Sequence, residues 1–278
     1  MKLALARLGD TALARLGLID DAAIDLADAA LDCAAADRPA EDMTPLKVRL
    51  TGLAVKLMAD GSGLHTARAQ ALLIAELLAG REGLTGDTKD YEHPDNADLA
   101  KVMLRRRGLP VTLSLLYVAL ARRVGWRAEA LNVPGHVLVA IGGEADRQLI
   151  DPFDHGRPID AAALAELIAR TIGGHASPAA EHLRPLSNRE TLVRLLSNQA
   201  ARARRGGDTA RALLLTERMT AIAPRFTGLW WERARLEQLT GDIAAARSSL
   251  AAMLETTHEA RVQTRIASAL AALASSAT

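Results

Sequence analysis

A histidine and an aspartate lie at opposite ends of two neighbouring apolar segments. In LNVPGHVLVAIGGEADRQLIDPF, His136 begins the first segment and Asp151 ends the second. If the segments are the strands of a hairpin, the first strand runs towards the turn and the second runs back from it. The start of the first strand and the end of the second therefore lie side by side. A cross-strand contact between them is then permitted by register. A carboxylate beside an imidazole fixes the tautomer of the ring and stabilises its protonated form, which suits a general base.

The same two residues also have a structural explanation. His136 follows the turn at Pro134 and Gly135, and Asp151 precedes Pro152, where an aspartate commonly bonds its own backbone to close a turn. The pattern alone favours this explanation. Catalysis additionally requires a nucleophile, best placed near the N-terminus of a helix that precedes the strands, where the helix dipole stabilises a thiolate.

The elements that must position these residues are readable from periodicity. RAEALNV, HVLVAIG and RQLIDPF predict three short antiparallel strands, the last two forming a hairpin, because they alternate or carry β-branched residues between turns. Before them, a helix is expected from Ala97 to Arg106, capped by Asp95 or Asn96. A second helix is expected to begin at Pro110, since proline suits a first helical turn. The basic run at residues 105–107 is interpreted as a solvated helix end.

Three parts of the chain are expected. Residues 1–88 form the N-terminal helical part of a core, and residues 89–175 form the part of the core that carries the strands. Residues 186–278 are helical, and their Gly207-Asp208 and Gly241-Asp242 pairs are 34 residues apart, with helical segments on both sides of each pair. That spacing is the period of tetratricopeptide helix–turn–helix units. Residues 186–278 are therefore predicted to form tetratricopeptide-like repeats.

Composition excludes several classes of function. The formal net charge of +1 gives no case for binding nucleic acid or a membrane surface. No apolar run reaches the ~18 residues of a membrane span. Cys33 is the one cysteine, is interpreted as a small buried hydrophobe, and calls for no oxidising compartment, so a cytoplasmic location is expected. Without a metal-ligand cluster or a Gly-rich phosphate loop after a strand, no metal and no cofactor are expected.

The segment from Tyr91 to Gly156 resembles the transglutaminase-like superfamily, through GLPVTLSLLYVALARRVG, NVPGH and IDPF in this order. Within it, the chain resembles the bacterial SirB-type proteins, and this resemblance extends from about Asp10 to the C-terminus. It implies an α+β, mostly helical fold. A transglutaminase-like (papain-like) core with a small antiparallel sheet would be followed by C-terminal α-helical tetratricopeptide-like repeats.

The resemblance also implies a Cys-His-Asp triad, of which the histidine falls on His136 and the aspartate on Asp151. The position of the cysteine falls on Pro110, which has no nucleophile. Such a loss is often seen in the SirB-type branch. Thr112 is rotated by ~200° from that position and Ser114 lies one helical turn deeper, so we expect neither hydroxyl to reach His136 without a shift.

The first functional hypothesis is a catalytically inactive adaptor or regulator with a protein or peptide partner. The partner would lie in the cleft between the Pro110 helix and the sheet, which Asn132 and Tyr91 line by the resemblance, or on the helical repeats. Trp230 and Trp231 are adjacent and cannot share one helical face. Either one is core and the other an exposed anchor, or both are packed.

The second hypothesis is an atypical amide or ester hydrolase or acyl transferase. It would use the His136–Asp151 pair with Ser114, Thr112 or a His-activated water in place of the cysteine. A third possibility is a purely structural role in a larger complex. The sequence leaves the oligomeric state, the partner and the substrate open.

Overall fold

The computed structural model describes residues 10–172 and 183–275. Within this part of the chain there are two compact units. The first contains the chain from Asp20 to Leu195, and the second contains Asp10–Ile19 together with the chain from Leu196 onward. The division into residues 1–88, 89–175 and 186–278 remains a prediction.

The first unit begins with helices, as the apolar periodicity predicts. These helices are α2 (Leu26–Asp37), α3 (Thr44–Asp60) and α4 (Ala67–Ala75), and a π-helical turn, Glu76–Arg81, extends α4. Asp25 caps α2 by accepting the N–H groups of Ala27 and Asp28 at 3.0 and 2.9 Å. The label α1 is kept for the helix of residues 10–16, which belongs to the second unit.

The main sheet has four antiparallel strands, β3 (Ala128–Val133), β4 (His136–Gly143), β5 (Asp146–Asp151) and β6 (Arg157–Ile159). They are hydrogen-bonded in the order β3-β4-β5-β6. The three predicted strands are therefore confirmed, and β6 is an addition that the turn-rich sequence did not reveal. Beyond β3, Pro185 forms a bridge with Leu131, so the described chain after residue 182 extends the sheet at this edge.

Helices cover both faces of this sheet. Leu138 and Ala140 of β4 belong to a core with Leu164 and Ile168 of α7 (Ala161–Ile172). The intervening residues of β4 are also buried, because α6 (Pro110–Arg123) packs on β3 and β4. Burial on both faces explains why residues 137–141, VLVAI, are apolar throughout instead of alternating.

The segment before α6 differs from its prediction. Residues 94–97 form a 3-10 turn, and the helix, α5, spans Leu99–Arg105. Its cap is Asp98, whose carboxylate accepts the N–H of Lys101 at 3.1 Å, and neither Asp95 nor Asn96. A short parallel pair, β1 (Thr85–Gly86) and β2 (Arg107–Gly108), flanks this segment.

The basic run at residues 105–107 is also more than a solvated helix end. The guanidinium of Arg105 donates to Asn96 Oδ1 at 2.8 Å and to the buried carboxylate of Asp87 at 3.3 Å. Arg106 has a φ of 63°, which ends the helix, and Arg107 begins β2. Sequence periodicity did not show these contacts because their partners are up to eighteen residues away.

The remaining helices are α8 (Asn188–Arg205), α9 (Thr209–Ile222), α10 (Thr227–Leu239), α11 (Ile243–Thr256) and α12 (Ala260–Ser275). The turns before α9 and α11 are built alike. Gly207 and Gly241 have φ values of 76° and 84°, which favour glycine. Asp208 and Asp242 then cap the helices by accepting the N–H three residues on, each at 2.9 Å. In the part of the chain that the structure describes, no helix combines the length and apolarity that crossing a membrane requires.

Candidate functional site

The predicted contact between His136 and Asp151 is present. Nε2 of His136, at the start of β4, lies 2.9 Å from Oδ1 of Asp151, at the end of β5. The same oxygen accepts the N–H of Phe153 at 2.9 Å, so the aspartate also closes the turn before Pro152. The two contacts of Asp151 therefore coexist: the turn at Pro152 orients the carboxylate that bonds the imidazole.

This contact leaves Nδ1 as the ring nitrogen that could accept a proton. Among residues 10–172 and 183–275, no group hydrogen-bonds to it. The ring is held edge-on by Phe153, with centroids 5.9 Å apart, and Phe153 in turn meets Tyr91 at 5.8 Å. The side chains of His136 and Asp151 are only 12% and 10% exposed, so a reactant or ligand can approach the ring over a small area.

On α6, the position that the resemblance assigns to the nucleophile is a proline, and the hydroxyls of Ser114 and Thr112 are both bonded to backbone carbonyls. Pro110 is the first residue of the helix and is buried. The hydroxyl of Ser114 donates to the carbonyl of Val137 at 3.0 Å, and that of Thr112 donates to the carbonyl of Asn96 at 2.8 Å. Both hydroxyls are fully buried, and neither is bonded to the ring of His136. The Ser114 contact also shows that the first turns of α6 lie alongside the start of β4.

Asn132 is joined to the site through Arg194, a residue that the sequence did not single out. Arg194, on α8, donates through Nη1 to Oδ1 of Asn132 and through Nη2 to the carbonyl of His136 at 3.0 Å. Burial lowers the pKa of Arg194 and the Tyr91 phenol opposes that effect, but an arginine remains charged. Through its two hydrogen bonds, Arg194 fixes the turn between β3 and β4. No local pattern distinguishes it from the other arginines of α8.

A buried polar network holds the segment that carries Tyr91. Asn96 donates to the carbonyls of Asp90 and Tyr91 at 2.7 and 3.3 Å, and its side-chain oxygen accepts from Arg105. Burial acts to raise the pKa of the Asp87 carboxyl. The N–H of Asp90, Asn96 and the Arg105 guanidinium outweigh it, so that pKa lies below its usual value. Asp87 is therefore an ionised anchor inside the network.

Tyr117 lies two turns along α6 from Pro110, and its hydroxyl is buried without a hydrogen-bond partner among the described residues. Burial raises the pKa of Tyr117, and the negative charge of Asp151 raises it further. Gly156, with a φ of 71°, packs tightly here, because a Cβ at this position would lie 3.0 Å from the hydroxyl. The phenol is thus a neutral, confined group beside the site.

The other candidate residues lie elsewhere. Cys33 is buried in α2, as interpreted from its apolar neighbours. Trp230 and Trp231 belong to the second unit and are both half-buried against its core. Trp230 donates its indole N–H to the carbonyl of Pro224 at 2.7 Å. Among the described residues, no group of three His, Cys, Asp or Glu side chains is placed to hold a metal ion.

Comparison with known proteins supplies relatives in several organisms. A family model described as the transglutaminase-like superfamily matches residues 44–197. A UPF0162 protein of Xylella fastidiosa is 30% identical over 176 residues, which cover 62% of this chain and 63% of the relative. A UPF0162 protein of Pseudomonas aeruginosa is 31% identical over 157 residues, 56% of each chain. The match therefore spans less than two thirds of the length of these curated relatives.

A shorter match is to the human F-box only protein 21, which is 36% identical over 70 residues, 25% of this chain and 11% of that protein. Among solved structures, the crystal structure of menin that reveals its binding site for the Mixed Lineage Leukemia protein covers 78% of this chain and 62% of menin. Its TM-score is 0.30 at 11% identity, which is too low to carry an argument.

The family model covers more than half of the chain, including α3 to β6 and both members of the His136–Asp151 pair. The chain belongs to the transglutaminase-like superfamily.

Proposed function

We propose that this protein is a catalytically inactive transglutaminase-like protein, which binds a peptide or protein segment in the cleft beside His136 and acts as an adaptor or regulator. One observation carries the proposal. Pro110 occupies the position that the resemblance assigns to the nucleophile, and the hydroxyls of Ser114 and Thr112, which follow it on α6, donate to backbone carbonyls. A general base without a nucleophile favours binding over turnover.

The groups around His136 suit an extended peptide. The unoccupied Nδ1 of the ring offers one hydrogen-bonding position, and Tyr91, 43% exposed, offers an aromatic surface beside Phe153. Arg194 holds the β3–β4 turn through Asn132 and the carbonyl of His136, so the backbone beside the imidazole is already ordered before a ligand arrives. Preorganisation of this kind reduces the entropy that binding costs.

The proposal includes the wider organisation of the chain. We take the described helices from α8 onward as tetratricopeptide-like repeats of a SirB-type protein, on the support of the two matching Gly-Asp turns. The domain division at residues 88 and 175–186, a cytoplasmic location and a protein or peptide partner belong to the same proposal. Nucleic acid and membranes are not proposed as partners, and no metal or cofactor is invoked.

The test is an assay of the purified protein beside its His136→Ala variant. A pool of glutamine- and ester-containing peptides is offered, and both hydrolysis and amine incorporation are measured. We expect no turnover with either protein. Isothermal titration with peptides that the wild-type protein captures from the same pool should show weaker binding by His136→Ala.

A turnover that disappears in His136→Ala would contradict the proposal. It would favour the second candidate, an amide or ester hydrolase or acyl transferase that uses the pair without the cysteine. The 2.9 Å contact between His136 and Asp151 is the observation that supports this candidate. Ser114→Ala and Thr112→Val would then show whether either hydroxyl, or a water activated by His136, is the nucleophile.

A further inference from the structure

A small apolar groove lies in the second unit, between α10, α11 and α12. Its volume is about 230 Å³, and its lining includes Trp231, Leu250, Ala269 and Leu273. Two of the lining residues on α12, Ala269 and Ala272, have small side chains. The groove is therefore large enough to receive one apolar side chain of a partner.

A guanidinium group lies at the edge of this groove. The guanidinium carbon of Arg265 is 3.9 Å from the ring centroid of Trp231. Arg265 is exposed, and among the described residues it forms no ion pair or hydrogen bond. Stacking on an aromatic ring holds an arginine side chain in place while its N–H donors remain available at the edges of the plane. Such a guanidinium is positioned to donate two parallel hydrogen bonds to a carboxylate.

The direction of the groove follows from the sequence of α12. Arg261, Arg265, Ala269 and Ala272 occur at intervals of four, four and three, so they share one face of the helix. Ala269 and Ala272 line the groove, and the two arginines continue the same face towards the start of α12. Arg261 is also exposed and unpaired among the described residues, and α12 contains no acidic residue. One end of the surface is therefore apolar and the other is cationic.

Neighbouring arginines do not have this character. Arg235 is bonded twice to Glu232, at 3.0 Å each, and Arg233 is bonded to Glu237 at 2.8 Å. Carboxylates from the same helix thus neutralise the arginines of α10, while those of α12 face solvent without a counter-charge. The positive charge at this end of the groove is therefore available to a partner from outside the unit.

We propose that this groove is a docking site for an acidic protein segment. A large apolar side chain of the segment occupies the space beside Trp231 and Leu273, and carboxylates on one side of it bind Arg265 and Arg261. Tryptophan and arginine are the residues that most often dominate binding energy when they are grouped in this way. The site uses none of the residues of the His136 cleft, so either proposal can fail without the other.

Phage display of random twelve-residue peptides on the full chain tests the proposal. After selection, enriched peptides are synthesised and measured by fluorescence polarisation against wild type, Arg265→Glu and Trp231→Ala. Arg247→Glu is the matched control, because Arg247 is an exposed arginine of α11 outside the groove lining. We expect enriched peptides to combine one large apolar residue with at least two Asp or Glu. Arg265→Glu and Trp231→Ala should weaken binding at least tenfold, and Arg247→Glu less than twofold.

A second measurement separates a folding defect from a lost contact. Circular dichroism should show the same helix content for Arg265→Glu and wild type, and replacing the Asp and Glu of a peptide by Asn and Gln should weaken its binding to wild type by a similar factor. The proposal is overturned if no peptide is enriched, if enriched peptides lack acidic residues, or if Arg265→Glu binds them as well as Arg247→Glu does. Sedimentation that shows self-association lost in Arg265→Glu would instead assign the groove to a second copy of the chain.

Discussion

The hydroxyl of Ser114 lies 3.0 Å from the carbonyl oxygen of Val137, the residue that follows His136. This buried bond ties α6 to β4 one residue away from the imidazole. The hydroxyl is thus used to join a helix to a strand. A serine that was activated by His136 would donate to the ring nitrogen.

The Ser114 bond leads to a stability prediction. Ser114→Ala removes the donor and leaves the buried carbonyl of Val137 unsatisfied, so we expect the free energy of unfolding to fall by about 1–3 kcal/mol. Urea unfolding of the two proteins measures it. Ser62→Ala is the control, because Ser62 forms an exposed bond of 3.1 Å to the carbonyl of Ala59 and should change the same quantity by less than about 0.5 kcal/mol. An equal loss in both variants would contradict the role of the Ser114 bond.

The Asp87 carboxylate should make the stability of the first unit depend on acid pH. Its pKa is lower in the folded protein than the value of about 3.9 expected in the unfolded chain. A carboxyl of this kind contributes stability that is present above pH 4 and is lost as the pH falls through the folded-state pKa. We expect the free energy of unfolding to decrease below pH 4, and Asp87→Asn to reduce that decrease.

Urea unfolding between pH 2.5 and 7 measures this dependence. At pH 7, Asp87→Asn should cost about 1.5–3 kcal/mol, the usual contribution of a hydrogen bond to a charged group such as the one from Arg105. Asp20→Asn is the matched control, since Asp20 is exposed and its side chain caps no helix. If Asp20→Asn and Asp87→Asn alter the pH profile alike, the buried network is not the cause.

Tyr117 gives a prediction of the opposite sign. Its hydroxyl is buried without a partner among the described residues. Removing it therefore breaks no hydrogen bond and removes the cost of burying an unsatisfied polar group. Tyr117→Phe should therefore leave the free energy of unfolding unchanged or raise it by about 1 kcal/mol. Thermal and urea unfolding check this. A loss of more than about 1 kcal/mol would show that the phenol has a partner, such as a buried water.

Much of the first unit could be predicted from periodicity and turn residues. The start of α6 at Pro110, the three strands β3 to β5 and the contact of His136 with Asp151 all follow from local patterns. Each depends on residues that are close in sequence, or on two strands joined by one short turn. Local rules are sufficient there because the partner is already given by the turn.

The elements that were missed depend on distant partners. β6 has three residues, one of them a proline, and exists because β5 offers a free edge. β1 and β2 pair over about twenty residues of intervening chain. Asp98 is the cap instead of Asp95 or Asn96. Asn96 is bonded to Arg105 and to two carbonyls, and Asp95 lies inside the 3-10 turn that precedes the helix. Arg194 reaches the site from 58 residues away, which no sequence spacing would indicate.

We infer that the His136–Asp151 pair faces Pro110, at the position where the resemblance expects a nucleophile. Pro110→Cys, made in a Cys33→Ala background, tests it directly through the rate of alkylation by iodoacetamide between pH 5 and 9. We predict a thiol with an apparent pKa well below the ordinary value of about 8.5, and a return towards that value when His136→Gln is added. An ordinary pKa, or a lowered pKa that His136→Gln does not change, would contradict the claim, because the thiol would then not be facing the imidazole.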